Sequence, residues 1–319
     1  MSKTNLIFGI TGQTGSYLAH YCISRGERVI GASRSPFKEF HKRNLYTLGI
    51  QDIQLLSYND QSVESIATLI DNVEPTHVYY LSGQSSVGKS FQLPAETMHS
   101  VYIVVQHILE HIRLYHPQTR FFNSGSSEVF GNRSPDSPAT ELSLHNPKSP
   151  YGIAKSNAIQ LTTFYRSTYN LFTVSGIMSN HESILRPPQF VLSKVLQGVS
   201  DIKAMHSSYL ELGNIDVVRD WGWAHEYAQA IYLILNHYKP SNYIIATGKS
   251  VSLRSLVEQI LLKSELDIFK HISINKQQER PLELFESHLD ASKIESELGW
   301  TASVHSNILV DKLLSGDLF

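Results

Sequence analysis

Asn5-Leu-Ile-Phe8, followed by Gly9-Ile-Thr-Gly12-Gln-Thr-Gly15, decides the fold. The apolar run is a candidate buried strand. The glycines follow at G-x-x-G-x-x-G spacing, and Tyr17, Leu18, Tyr21 and Cys22 then recur at helical spacing. Strand, glycine turn and helix form the arrangement that seats a dinucleotide pyrophosphate on a helix N-terminus. Glycine turns are frequent, so three glycines alone say little. At the first strand-to-helix turn of a chain they carry more weight.

The pattern repeats outward. Residues 28–32 read as a second strand, 53–56 as a third, 63–70 as a helix and 77–81 as a fourth strand. Ser82-Gly-Gln-Ser-Ser-Val87 then places a polar loop at the carboxyl edge of the sheet, where ligands bind. Helical periodicity covers 94–115, and a fifth strand over 120–124 leads into Gly125-Ser-Ser-Glu-Val-Phe-Gly131. This alternation predicts an α/β fold, a Rossmann-type doubly wound parallel sheet. An NAD-selective site usually carries a carboxylate about 20 residues past the glycines. Here Ala32-Ser-Arg-Ser35 offers Arg34 instead. A guanidinium there suits a 2′-phosphate and favours NADP over NAD, although a solvated loop arginine would look the same.

The chain has 319 residues. A single core stops growing near about 250–300 residues, so two lobes, or one lobe with a cap, are expected. A net charge of −2 gives no global attraction to nucleic acid or to an anionic membrane. The single cysteine, Cys22, excludes an intrachain disulfide and sits beside Leu18 and Ile23 as a core residue would. No apolar run approaches the ~18 residues of a membrane span. The N-terminal Met1-Ser-Lys-Thr4 lacks signal-peptide features. A soluble, cytoplasmic protein is expected.

Chemistry concentrates after residue 120. In Ser149-Pro-Tyr-Gly-Ile-Ala-Lys155, Tyr151 and Lys155 are one turn apart on a helix expected over about 150–165. A lysine ammonium beside a phenol should lower its pKa and let it act as acid or base on an alcohol. That spacing is common by chance, so its neighbours matter. Ser126 and Glu128 stand at the end of the fifth strand and can serve either a substrate hydroxyl or a helix cap. A further strand over 171–178 leads into Ser179-Asn-His-Glu-Ser-Ile-Leu-Arg186, a polar cluster without a second ligand at metal spacing, so no metal is expected there. A helix from about residue 188 carries Lys194, and the segment 212–224 reads as a loop carrying Arg219. Both cations are candidates for a ligand diphosphate. Helices are expected over 224–235, 253–262 and 290–298, a strand over 243–246, and a polar connection at Arg280-Pro-Leu-Glu283. Without a linker-like tract, the lobes should interleave. Residues 1–179 with about 215–247 would hold the dinucleotide, and about 180–214 with 248–319 the substrate.

Together these segments resemble the extended short-chain dehydrogenase/reductases, and within them the GDP-mannose 4,6-dehydratases. The likeness rests on the glycine turn, Gln84-Ser-Ser-Val87, Ser126-Ser-Glu128, the Tyr151/Lys155 stretch, Asn180-His-Glu-Ser183, Leu212-Gly-Asn-Ile-Asp216, Arg219-Asp-Trp-Gly222, Ala246-Thr-Gly-Lys-Ser250, Arg280-Pro-Leu-Glu283 and Leu298-Gly-Trp300. The resemblance implies that Tyr151 takes the sugar 4-hydroxyl proton and that Lys155 tunes Tyr151 and holds the nicotinamide ribose. It implies that Glu128 removes the C5 proton and helps expel the 6-hydroxyl, and that Ser126, where the family usually has Thr, positions the 4-oxygen. Gly9, Gly12, Gln13, Thr14, Gly15, Leu81 and Gln84 would line the cofactor, with His181 and Arg186 nearby. Ser85, Ser86, Asn180, Lys194, Arg219, Arg280 and Glu283 would hold the sugar nucleotide. The resemblance further implies a homodimer or homotetramer built on the Tyr/Lys helix and the long helix before it. Thr14, Ser57, Ser35 and the lone Arg186 depart from the family pattern but remove no catalytic group. They leave open GDP-mannose, a GDP-heptose or a GDP-N-acetylhexosamine as substrate. Rival activities are a GDP-4-keto-6-deoxy-sugar reductase, a 4-epimerase or a 4-dehydrogenase, and, more remotely, a non-catalytic dinucleotide-binding protein.

Overall fold

A computed structural model describes residues 3–34, 42–278 and 280–319. Ser35 therefore lies outside the described residues. In chain order the strands are β1 Thr4–Phe8, β2 Arg28–Ser33, β3 Gln54–Ser57, β4 His77–Tyr80, β5 Arg120–Ser126 and β6 Thr173–Met178. They continue as β7 Asn180–Glu182, β8 Leu210–Leu212, β9 Val218–Trp223, β10 Tyr243–Ile245, β11 Ser250–Ser252 and β12 Ile272–Ile274. Seven form one parallel sheet in the order β10-β6-β5-β4-β1-β2-β3. Strand addition reverses direction between β1 and β4, which opens a crevice outside their carboxyl ends.

Both faces of the sheet are covered, so its strands read as apolar runs. Leu6 and Phe8 pack with Val104, Val105 and Ile108, whereas Ile7 joins Tyr17, Cys22 and Ile231 on the other face. Cys22 is fully buried, as its helical spacing suggests. Gly9 has φ +80°, and a Cβ on Gly15 would lie 2.3 Å from the Gly9 carbonyl oxygen. Only glycine lets the helix Gln13–Ser24 begin so close to β1.

The Tyr/Lys helix spans Pro150–Tyr169. Ser149 caps it by accepting the Gly152 N–H at 3.0 Å, and Asn170 ends it in the left-handed region at φ 56°. It outruns the expected end at 165 because residues 166–169 contain no breaker. The helix expected over 94–115 is instead two, Pro94–Met98 and Val104–Tyr115, joined by a π-helical turn at His99–Ile103. The wider turn aims Ser100 at the loop after β4. Its carbonyl accepts from the Tyr80 hydroxyl at 2.6 Å, and its Oγ from the Gln84 N–H at 3.1 Å.

The segment read as a loop at 212–224 contains β9, the middle strand of a second sheet, β11-β9-β7. Arg219 and Asp220 made it look solvated, yet both are buried and take their partners from distant segments. A separate apolar cluster joins Trp221 and Trp223 to helices Val191–Lys203, Leu253–Lys263 and Ser306–Ser315 through Val195, Leu256 and Val310. The last of these helices has no counterpart in the sequence reading. Among the described residues, no helix is long and apolar enough to cross a membrane.

Candidate active site

A cavity of about 480 Å³ opens at the carboxyl ends of β1, β4, β5 and β6. The glycine turn borders it with Gly9, Gly12, Gln13, Thr14 and Gly15, and the loop after β4 with Leu81, Gln84, Ser85 and Ser86. Ser126, Glu128, Tyr151 and Lys155 line its middle. Asn180, His181, Arg186, Arg219, Arg280 and Glu283 complete the wall. Two expected residues fall outside this lining. Arg34 pairs with Asp60 at 3.3 Å. Lys194 donates from Nζ to the Glu211 carbonyl at 2.7 Å and to Gln278 Oε1 at 3.1 Å.

Tyr151 and Lys155 share a helix face, as their spacing requires, but their electrostatics differ from expectation. Lys155 Nζ donates to the Ser124 carbonyl at 2.6 Å and to Ser124 Oγ at 3.0 Å, and lies 5.6 Å from the Tyr151 ring. Burial pushes Lys155 down to about 7. Burial likewise pushes Tyr151 up to about 12, with Glu128 adding to the rise and Ser126 and Arg186 opposing it. The lysine therefore does not depress the phenol here. Both groups are removed from water, and the ammonium turns to Ser124.

Ser126 and Glu128 occupy the end of β5 and a 3-10 turn, Ser127–Val129. Ser126 Oγ accepts the Glu128 N–H at 3.3 Å, so the capping role and a place on the cavity wall coexist. The Glu128 carboxylate lies 3.6 Å from Arg280. Arg280 also meets Glu283 at 3.2 Å, and Arg219 meets the same carboxylate at 3.3 Å. Burial raises Glu283 against the pull of both arginines, and burial lowers Arg219. Two cations and two anions thus balance one another beside the catalytic candidates.

The glycine-turn end is joined by hydrogen bonds between neutral groups, with the Arg186–Glu182 pair beside it at 3.4 Å. Burial holds His181 down at about 3, with Arg186 adding to the drop. Its Nδ1 donates to the Ser179 carbonyl at 2.9 Å, which leaves Nε2 to accept from Thr14 Oγ1 at 2.9 Å. Gln13 Nε2 donates to the His181 carbonyl at 2.9 Å, and Ser183 Oγ to Gln13 Oε1 at 2.8 Å. The N-terminus of the helix Gln13–Ser24 has no side-chain cap and no acidic residue in its first turn. An uncapped helix end on a cavity wall, approached through glycines, fits a dinucleotide pyrophosphate.

Sequence reasoning missed Asp220. Its buried carboxylate accepts from Ser179 Oγ at 2.7 Å, Thr247 N–H at 2.9 Å, Thr247 Oγ1 at 2.9 Å and Lys249 N–H at 3.1 Å. It thereby ties β9 to the end of β6, next to the His181 wall. An aspartate between Arg219 and the apolar Trp221 was the available signal. Phe190 was missed too; the Arg186 guanidinium lies 3.8 Å over its ring.

The family model for GDP-mannose 4,6 dehydratase matches residues 6–313. GDP-mannose 4,6 dehydratase 1 of Arabidopsis thaliana is 33% identical, over 99% of this chain and 90% of its own length. The Homo sapiens GDP-mannose 4,6 dehydratase is 32% identical, over 98% and 91%. Among solved structures, dTDP-glucose 4,6-dehydratase from Bacillus anthracis, in complex with NAD, superposes with a TM-score of 0.85 at 19% identity, covering 99% of this chain and 96% of that one. RMD from Pseudomonas aeruginosa, complexed with NADPH, gives 0.80 at 19%, covering 99% and 98%. These two likenesses establish the fold, and the first two, with the family model, establish the lineage: the chain belongs to the GDP-mannose 4,6-dehydratase family of hydro-lyases.

Proposed function

We propose that the protein converts a GDP-hexose, GDP-mannose or a close relative such as a GDP-heptose or GDP-N-acetylhexosamine, to the GDP-4-keto-6-deoxy sugar. The observation that carries this is the convergence of Ser126, Glu128, Tyr151 and Lys155 on one cavity, between the uncapped helix end and the Arg219/Arg280/Glu283 cluster. NADP, favoured over NAD by Arg34, would accept hydride from C4 and return it to C6. Tyr151 takes the 4-hydroxyl proton. With its pKa pushed up to about 12, it needs a nearby positive charge to do so. Lys155, held at about 7, is only partly charged near neutrality. In its charged form Lys155, one turn from Tyr151, would lower the phenol. Ser126 orients the 4-oxygen. The 4-keto group acidifies C5, Glu128 removes that proton and passes it to the departing 6-hydroxyl, and C5 regains a proton, equivalent to the one Tyr151 took up, when C6 is reduced. Arg219, Arg280 and Glu283 hold the diphosphate and ribose.

The test incubates the purified protein with GDP-, UDP-, CDP- and dTDP-sugars without added cofactor. A GDP-hexose should lose one water by mass. A product that forms only with stoichiometric NADPH oxidation identifies a reductase instead. On the same proposal the protein is a cytoplasmic homodimer or homotetramer. The exposed Leu114, Phe164 and Tyr169 on the two expected interface helices support assembly. A monomeric mass at micromolar concentration would overturn it.

A further inference from the structure

A second constellation lies at the opposite edge of the sheet. Asp71 is on the helix Val63–Val73, His111 on the helix Val104–Tyr115, and His116 is the C-cap of the latter. Asp71 precedes β4 and His116 precedes β5, so both sit at the amino edge, whereas Glu128 follows the carboxyl end of β5. Asp71 Oδ1 lies 2.7 Å from His111 Nε2 and 2.7 Å from His116 Nε2. The three donor atoms all fall within 4.8 Å of one another. His116 reaches the cluster because its φ of −132° takes it off the helical path.

The side chains are constrained unequally. His111 is 10% exposed and His116 20%, while Asp71 is 52% exposed. The Tyr115 ring lies 4.9 Å from His111, and His116 borders a shallow cavity of about 350 Å³. Two imidazoles are therefore held by the protein, one carboxylate is free to adjust, and space remains for water. Tetrahedral zinc places ligand atoms about 2.0–2.2 Å from the metal, and hence roughly 3.3 Å from each other. To reach that geometry the Asp71 contacts open by about half an ångström, while the two imidazole nitrogens, within 4.8 Å of each other, close towards it. Two imidazole nitrogens with one carboxylate oxygen suit zinc, whereas magnesium and calcium prefer all-oxygen shells.

We propose that Asp71, His111 and His116 form a Zn²⁺ site, completed by water, that clips the helix Val63–Val73 to the end of the helix Val104–Tyr115. The metal takes the place of the two hydrogen bonds to Asp71. It is structural, because no group of the catalytic cavity belongs to the cluster. Its ligands must be a carboxylate and neutral imidazoles.

The full chain, stripped with chelator, would be titrated with Zn²⁺ against a chromophoric competitor, with Mg²⁺ in parallel and thermal denaturation as second readout. One Zn²⁺ per chain should bind and raise the melting temperature, with no effect of Mg²⁺. His111→Gln and His116→Gln should each weaken binding at least about tenfold and remove the zinc-dependent melting shift. If either variant folds poorly, Asp71→Asn keeps the shape of the side chain, removes its charge and should show the same loss. Saturable binding that is unchanged in all three variants, or no stoichiometric binding to the parent protein, would overturn the site.

Discussion

At one end of the cavity, Gln13, Thr14 and His181 are joined by neutral hydrogen bonds across the glycine turn. At the other, Arg219 and Arg280 neutralise Glu283 and Glu128 across 3.2–3.6 Å. At the first end Gln13, Thr14 and His181 already have partners before any ligand arrives, and the helix terminus awaits an anion. On the proposed function the second must rearrange, because a substrate diphosphate would compete with two carboxylates for the same guanidiniums. The dinucleotide end thus resembles a rigid socket, and the sugar-nucleotide end a set of charges whose pairing changes on binding. Between them, Tyr151 and Lys155 answer to the first end and Glu128 to the second.

The largest effect should come from the groups in the middle. Tyr151→Phe and Glu128→Gln are each expected to lower turnover by about 10²–10⁴-fold, the range for a lost acid or base, while dinucleotide binding persists. A fully active Tyr151→Phe enzyme would sink the mechanism. Next is Gly15→Ala at the rigid end. The added Cβ meets backbone at 2.3 Å with no flexible neighbour to yield, so the helix must shift off β1. Dinucleotide affinity, followed by fluorescence titration, should fall more than tenfold, with the affinity for GDP changing little. Equal losses at both ends would show that the two regions are not separable.

At the adaptable end the expected effect is smaller. Arg280→Met leaves Arg219 to serve Glu283 but removes one cation for the diphosphate. Steady-state kinetics should show KM for the sugar nucleotide rising by about tenfold with a smaller change in kcat, the signature of binding that is uniform between ground and transition states. An unchanged KM would mean that Arg280 serves only as the partner of Glu128.

This contrast also explains what was legible beforehand. The glycine turn, the parallel sheet and the Tyr151/Lys155 face are local: strand, turn and helix follow one another within a few residues, so periodicity and spacing display them. The charged end is assembled from β9 and from the connection at Arg280, more than fifty residues apart in the chain. Arg219 and Asp220 looked like loop polarity because the atoms that bury and satisfy them, on Leu284 and Thr247, come from elsewhere. The π-helical turn at His99–Ile103 was hidden for another reason, since the apolar positions that pack on the sheet keep an approximately helical order through it. Asp71 meets His111 and His116 across 40 and 45 residues, beyond the reach of any spacing rule. The Tyr151 pKa was misjudged because proximity to a lysine is visible in sequence, whereas burial and the competing Ser124 carbonyl are not.

Lys155 gives the finest probe of the rigid end. Its folded pKa of about 7 lies below the ordinary 10.5. Between those values the unfolded chain binds a proton that the folded protein does not, so stability from this group rises with pH across the window. Below about pH 7 the protein carries the full penalty of a buried ammonium; above it the penalty is progressively relieved. Lys155→Met removes this dependence. Without dinucleotide, the variant should gain most over the parent at about pH 6, and its advantage should shrink by up to about 1.4 kcal/mol per pH unit above pH 7. Urea denaturation at about pH 6 and about pH 9 measures the difference. A gap that stays constant with pH would show that Lys155 is charged throughout. The Ser124 carbonyl and hydroxyl would then be solvating the ammonium well enough to offset burial, and the phenol of Tyr151 would have a permanent cation one turn away, as its spacing first suggested.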